Sequence, residues 1–408
     1  MKMASAPPVH RFNKAVFELE EEKAFEYAAM ASELAKKGVR VISFGIGQPD
    51  FQTPEHVVKE AVRALKAGFT RYVPPPGIPE LREAIAEHAS EFTGAGDVRP
   101  EEVMVMPGAK PGLFFAITAF VGPGDEVIVP DPGFPIYECV VRYAGGRPVF
   151  CELKADEDFR MKPEHVQELI TDRTKMIILN SPHNPTGSMC HPSDIRGILE
   201  LAREKGIIVL SDEVYDHYVY GEVPFKSVLS DPDWRDFVIY VNSFSKTWSM
   251  TGWRLGYVIA DREVVRRLSL MAVNSYSCTC SFVQKAGVAA LRGPMDFFKE
   301  VLAEYKRRRD LVVKLLNGVP GVEVKPAPGT FYLFPSVKEI LAQTGLSTEE
   351  LAIRVLKSKG VVMLPGVPGF PLKAGEGHLR FSYVVKPELI KEGVERFREA
   401  VEELLSAS

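Results

Sequence analysis

KMIILNSPHNPTG (175–187), GIIVLSDEVYDHY (206–218) and FVIYVNSFSKTWSMTGWRLGY (237–257) each open on an apolar run and close on polar, chemically capable residues. The runs are near-continuous in Val, Ile and Leu rather than alternating, which is the pattern of strands covered on both faces. Working outward, EVMVM (102–106), EVIVP (126–130) and GYVIA (256–260) read the same way. Amphipathic helical stretches lie between several of them, such as PGLFFAITAF after Lys110 and PSDIRGILELAREKG (192–206). Strand, helix, strand in succession implies right-handed crossovers and a mostly parallel sheet, hence an α/β fold with helices on the sheet faces. GYVIA follows FVIYV with no long helix between them, so one antiparallel member is expected.

The pattern changes near residue 295. A long charged helix, MDFFKEVLAEYKRRRDLVVKLL, leads into short strands (VEVKP, FYLFP, GHLRFSY) and a closing helix, PELIKEGVERFREAVEELL. This reads as a smaller α+β domain over 295–408, beside a large domain over 56–294. The N-terminal segment, 1–55, with a helix at about 19–37 stopped by Gly38, is expected to join the smaller one. Two domains suit 408 residues, more than one simple core usually organises. PGVPGFPLKAGEG (365–377), rich in Pro and Gly, reads as a loop.

Composition narrows the function. With 50 basic against 54 acidic side chains the chain lacks the basic surplus of proteins that hold nucleic-acid backbones. Five irregularly spaced cysteines (Cys139, Cys151, Cys190, Cys278, Cys280) do not form a disulfide framework, and the reduced cytosol is expected. No Cys or His pairs stand at zinc-site spacing, so no metal is expected. The opening MKMASAPPVHRFNK has no apolar leader core, and no run of eighteen apolar residues occurs, so neither secretion nor membrane insertion is expected.

The chemistry gathers at the strand ends. Ser243, Ser245, Lys246 and Arg254 fall within twelve residues after FVIYV. Most lysines are solvated surface groups, but Lys246 stands where a buried strand ends, among small, aromatic and apolar neighbours. A desolvated lysine near another cation has a lowered pKa and forms Schiff bases with carbonyls. Hydroxyls and an arginine beside it suit a phosphate. Asp212, ending GIIVLSD, lies where α/β sheets place ligand groups and is suited to pair with a pyridinium nitrogen. Tyr215 and Asn184 are placed to reach an oxygen on the same ring. PGAKPG (107–112), with Gly108, Ala109 and Lys110, opens a helix, and backbone N–H groups there bind phosphate. Its spacing matches neither the nucleotide P-loop nor the dinucleotide fingerprint.

In order along nearly the whole chain stand GIGQPDFQTP, RYVPPPGIPELREAIA, PGAKPG, NSPHNPTG, SDEVYD, SFSKTWSMTGWRLGY and LRFSY. This succession resembles the class I/II aminotransferases, the fold-type I pyridoxal-phosphate enzymes, and most nearly their prokaryotic aspartate-aminotransferase-like subgroup. The resemblance implies a seven-stranded-type sheet and pyridoxal 5'-phosphate as cofactor. It implies that Lys246 carries the cofactor Schiff base, that Asp212 pairs with the ring nitrogen, and that Tyr215 and Asn184 bond the ring oxygen. Phe134 matches the aromatic that stacks on the ring, where many relatives carry Tyr or Trp. Gly108, Ala109, Lys110, Ser243, Ser245 and Arg254 would hold the phosphate, with Tyr72 reaching in from a second subunit of a homodimer. Arg380 matches the arginine that clamps the substrate α-carboxylate, with the Gly47 backbone close by and Phe134 and Asn184 also facing substrate.

The implied reaction is ping-pong transamination between an L-amino acid and a 2-oxo acid such as 2-oxoglutarate, with aspartate-type or broad specificity and Lys246 as general base. A lyase or synthase of the same fold would reuse every residue named. A cofactor-binding regulator would need an added DNA-binding module, for which the stretch before the first helix leaves no room. A dicarboxylate needs a second cation besides Arg380, which the sequence does not single out, and NSYSCTCSFVQ (274–284) departs from the Thr/Pro-rich stretch of aspartate-preferring relatives, so alanine, aromatic and branched amino acids stay open as donors.

Overall fold

The apolar runs form a seven-stranded sheet in a computed structural model that describes residues 12–370 and 373–407. Most of the opening stretch read for a leader, and two residues of the 365–377 loop, lie outside the described residues. In chain order the strands are β1 (Ile42–Ser43), β2 (Val103–Met106), β3 (Glu126–Asp131), β4 (Arg147–Glu152), β5 (Thr174–Asn180) and β6 (Ile208–Asp212). They continue as β7 (Val238–Ser243), β8 (Gly256–Ile259), β9 (Tyr332–Leu333), β10 (Val361–Val362), β11 (Leu364–Pro365) and β12 (Leu379–Ser382). The large sheet runs β2-β8-β7-β6-β5-β3-β4, and β8 alone is antiparallel to its neighbours β7 and β2. That is the antiparallel GYVIA member.

Both faces of this sheet are covered. Val103, Val105, Ile177, Leu179, Val209 and Tyr240 pack into one core, while Met104, Met106, Ile178, Leu210 and Val241 pack into the core on the opposite face. Side chains of successive residues point to opposite faces, so two buried faces leave no polar alternation to read.

A third core combines both ends of the chain. Tyr27, Ile42 and Phe44 pack there with Tyr305, Val312, Phe381, Phe397 and Val401. β1 pairs in parallel with β10, and β12 lies between β11 and β9 in an antiparallel three-stranded sheet. The loop after β6 also reaches this core through Val214, Tyr215 and Tyr218.

Several boundaries differ from the sequence reading. After a short 3-10 helix over Lys14–Glu18, the first α-helix spans Lys23–Lys36, not 19–37, with Gly38 in the left-handed region (φ 85°) just beyond it. Glu22 stays outside that helix as its N-cap residue, and its carboxylate reaches Lys110. The strand β4 (RPVFCE) is not anticipated from sequence, because Arg147, Pro148 and Glu152 break its apolar run. As an edge strand it tolerates proline. VEVKP does not form a strand and pairs at one point, Glu323 against Ser336.

Candidate active site

Parallel register sets the site. Asn180 at the end of β5 pairs with Asp212 at the end of β6, and Asp212 pairs with Val241 two residues before Ser243 on β7. The C-terminal ends of these strands therefore present Asn180, Asp212 and Ser243 along one edge, the usual ligand position in open α/β sheets. Gly256 on β8 opens the way for the Gly108–Ala109 turn: a Cβ there would lie 2.7 Å from the Gly108 carbonyl carbon and 2.9 Å from the Ala109 nitrogen. A cavity of ≈ 490 Å³ results, lined by Lys246, Asp212, Tyr215, Asn184, Arg254 and Arg380 among others.

Lys246 lies deep in this cavity. Its Nζ donates to the Gly47 carbonyl at 2.6 Å and sits 5.4 Å from the Tyr215 ring centre. Burial, helped by the Arg380 and Arg254 charges and opposed by Asp212, pulls its pKa down to about 8. A lysine so placed spends part of its time as the free amine near neutral pH, the form that is nucleophilic and basic.

Asp212 is buried with no cation at salt-bridge distance among the described residues. Burial raises its pKa to about 6, against hydrogen bonds from the Tyr137 hydroxyl (2.8 Å) and the Val214 N–H (3.4 Å). Asn180 braces the same point, donating through Nδ2 to the Asp212 carbonyl at 2.8 Å and accepting the Asn184 N–H at 3.0 Å. A buried carboxylate without a counter-ion is costly and suits a cationic ligand atom.

The phosphate-type cup is built from backbone and hydroxyls. Gly108 (φ 96°) precedes a helix over Ala109–Phe120, and a Cβ on it would lie 2.3 Å from Arg254 Nη2. Arg254, itself in the left-handed region (φ 54°), bonds only main-chain carbonyls among the described residues, Thr251 at 2.9 Å and Pro107 at 3.4 Å. Ser243 and Ser245 are buried beside it, and the Ser245 N–H donates to Ser243 Oγ at 3.2 Å. Helix N–H groups, two hydroxyls and a guanidinium without a carboxylate partner form a donor set for a phosphate dianion.

Arg380 lines the same cavity and likewise lacks a carboxylate partner among the described residues. It is buried, yet among those residues it bonds only neutral acceptors, Asn184 Oδ1 at 2.9 Å and the Gly45 carbonyl at 2.6 Å, and its Nε has no partner there. Its guanidinium stacks on Tyr332 (4.5 Å) and Phe370 (5.2 Å). Tyr332 in turn shares a 2.7 Å hydrogen bond with the Tyr215 hydroxyl. A buried, unpaired guanidinium facing a cavity is suited to a substrate carboxylate.

Phe134 lines the cavity, its ring edge-on to Tyr137 at 5.8 Å. Lys110 lines it too but turns to Glu22, with its Nζ 5.3 Å from the Phe134 ring centre, rather than into the phosphate cup. Tyr72, 89% exposed, is not among the cavity residues of its own chain. The structure thus gathers Gly47, Ala109, Lys110, Phe134, Asn184, Asp212, Tyr215, Ser243, Ser245, Lys246, Arg254 and Arg380 around one cavity, with Gly108 beside Arg254. Sequence reading missed Tyr137, Tyr332, Gly45 and Glu22, whose places depend on long-range packing rather than on any local motif.

The donor set fits pyridoxal 5'-phosphate: a lysine amine, a buried carboxylate lacking a cation and an anion cup stand around one cavity. The family model described as aminotransferase class I and II matches residues 39–397. An aspartate aminotransferase of Sulfolobus acidocaldarius is 44% identical over 97% of this chain and 98% of its own. An aromatic-amino-acid aminotransferase of Thermococcus litoralis is 37% identical, covering 89% of this chain and 92% of its own. The solved aspartate aminotransferase of Rhizobium meliloti superposes with a TM-score of 0.91 at 34% identity, covering 96% of this chain and 99% of that one.

Proposed function

Since the chain belongs to the class I and II aminotransferases and is a pyridoxal-phosphate-dependent transaminase of aspartate-type or broad specificity, we propose that Lys246 is its general base and that dicarboxylic amino acids are its preferred donors. Asp212 would hold the cofactor's ring nitrogen, Tyr215 and the Asn184 amide its ring oxygen, and Phe134 its face. Ser243, Ser245, Arg254 and the Gly108–Ala109 turn would hold its phosphate. When bound, the cofactor supplies a carbonyl carbon for exchange with amines and a protonated ring that delocalises the electron pair left at a substrate Cα.

Arg380 binds and orients the α-carboxylate, with Asn184 and Gly45 fixing the plane of its guanidinium. Lys246 Nζ, half-buried and with its pKa lowered to about 8 so that the free amine is within reach near neutral pH, takes the proton from Cα and returns one in the second half of the cycle. The chain's own groups thereby hold the substrate at both its carboxylate and its reacting carbon.

The observation that carries the donor preference is the Glu22–Lys110 pair at the cavity wall. Glu22 presents its carboxylate to Lys110 at the cavity wall, and a distal substrate carboxylate would take that place by displacing it. Lys110 therefore supplies the second cation that a dicarboxylate needs, in place of a phosphate contact. To test this, the absorbance change of the bound cofactor is followed with L-aspartate, L-glutamate, L-alanine and L-phenylalanine. Aspartate and glutamate are expected to react with the highest kcat/KM. Lys110→Ala should lower theirs about tenfold or more, the scale of a charged hydrogen bond, and leave alanine little changed. Equal loss for all four donors would exclude the assignment.

We further infer a homodimer in which Tyr72 serves the neighbouring site, supported by its 89% exposure on the isolated chain. A cytoplasmic location is part of the same reading, supported by five free cysteines. Among the described residues no helix is long and apolar enough to cross a membrane. The mixed core of Tyr27, Phe44, Tyr305 and Phe397 supports a division into a 56–294 domain and a smaller one made of 1–55 with 295–408.

A further inference from the structure

Tyr332 is a buried tyrosine on β9 whose hydroxyl stands 2.7 Å from that of Tyr215. Its ring lies under the Arg380 guanidinium at 4.5 Å, and its oxygen occupies space left by Gly47, where a Cβ would approach to 1.8 Å. Among the described residues that hydroxyl has no hydrogen-bond partner other than Tyr215. A phenol has one proton to give. If Tyr215 directs its proton to the cofactor's ring oxygen, its own oxygen must accept, and Tyr332 is the donor that supplies it.

We propose that Tyr332 is a positioning residue of the transamination site: it donates to Tyr215 and so strengthens Tyr215 as a donor to the ring oxygen. The inference rests on the assignment of Tyr215 to that oxygen. Hydrogen bonds in a chain polarise one another, so the second donor adds to the first. The groups facing this pair are Arg380 over the Tyr332 ring, Lys246 5.4 Å from the centre of the Tyr215 ring, and the Asp212 and Glu22 charges. Because Arg380 lies against Tyr332, a carboxylate arriving at Arg380 alters the field on the donor itself.

Tyr332→Phe removes one oxygen and keeps the ring, its stacking on Arg380 and its packing. The readout is the pH midpoint of the bound cofactor's absorbance titration in the holoenzyme, with cofactor content and melting temperature as controls. A ring oxygen that loses hydrogen-bond donation becomes more basic and holds the shared proton more tightly, so the midpoint should rise, by about half a unit to one unit. Tyr215→Phe alone should raise it further, and adding Tyr332→Phe to that variant should give no additional rise. An unchanged midpoint in Tyr332→Phe, or an equal rise in both backgrounds, overturns the proposal. If Tyr215→Phe itself leaves the midpoint unmoved, the proposal falls together with the site assignment beneath it.

Discussion

The hydroxyl of Tyr137 donates to Asp212 Oδ2 at 2.8 Å, and both side chains are buried at the floor of the cavity. This bond favours the ionised carboxylate, while burial opposes it and holds the group at about 6. Removing the bond must therefore raise the Asp212 pKa.

The first prediction follows from that sign. In Tyr137→Phe, Asp212 takes up its proton at higher pH, and a neutral acid pairs poorly with a pyridinium. Loss of a hydrogen bond to a charged group costs about 1.5–3 kcal/mol, equivalent to about one to two pKa units. The acid limb of cofactor affinity should move upward by that order, measured by equilibrium dialysis of pyridoxal phosphate between pH 5 and 8. Asp212→Asn should abolish the limb and slow α-deuterium exchange by several orders of magnitude, with a much smaller loss of cofactor content. Near-native exchange in Asp212→Asn at full occupancy would show that Asp212 is not the ring-nitrogen partner.

A second prediction concerns Lys246, whose amine is held at about 8 by burial together with Arg380 and Arg254. Only the free amine attacks a carbonyl, so the rate at which cofactor-free protein captures pyridoxal phosphate should rise with pH through a midpoint near 8. The Asp212 charge favours the ammonium form, so Asp212→Asn should shift this midpoint downward. Borohydride reduction followed by peptide mapping should place the pyridoxyl mass on Lys246. A midpoint above pH 10, or label on another lysine, would contradict the electrostatic picture.

Arg380→Lys is the third. Lysine keeps the charge but lacks the planar fork that grips Asn184 and the Gly45 carbonyl while still facing a carboxylate. Losing the charge-assisted hydrogen bonds of the fork while keeping the charge costs about 1.5–3 kcal/mol, roughly ten- to hundredfold in rate. Single-turnover reaction with an amino acid should slow by a factor of that order, whereas an amine lacking a carboxylate should react almost as before. Equal slowing of both would mean that Arg380 serves the fold and not the substrate.

The α/β class, the parallel sheet with its antiparallel GYVIA strand, and the strand ends carrying Asp212 and Lys246 were all legible along the chain. Their signals are local: continuous apolar runs of strand length, and polar residues set directly after them. β4 escaped because an edge strand tolerates Pro148 and charged ends, which erase the run that marks a central strand. The convergence of the site belonged to tertiary structure alone. Arg380 meets Asn184 across 196 residues and Gly45 across 335, and Glu22 meets Lys110 across 88. No periodicity encodes such pairs, because they form only when separate cores dock and leave buried cations facing one cavity. The same holds for Tyr137 and Tyr332, which read as ordinary core tyrosines until packing aims their hydroxyls at Asp212 and Tyr215.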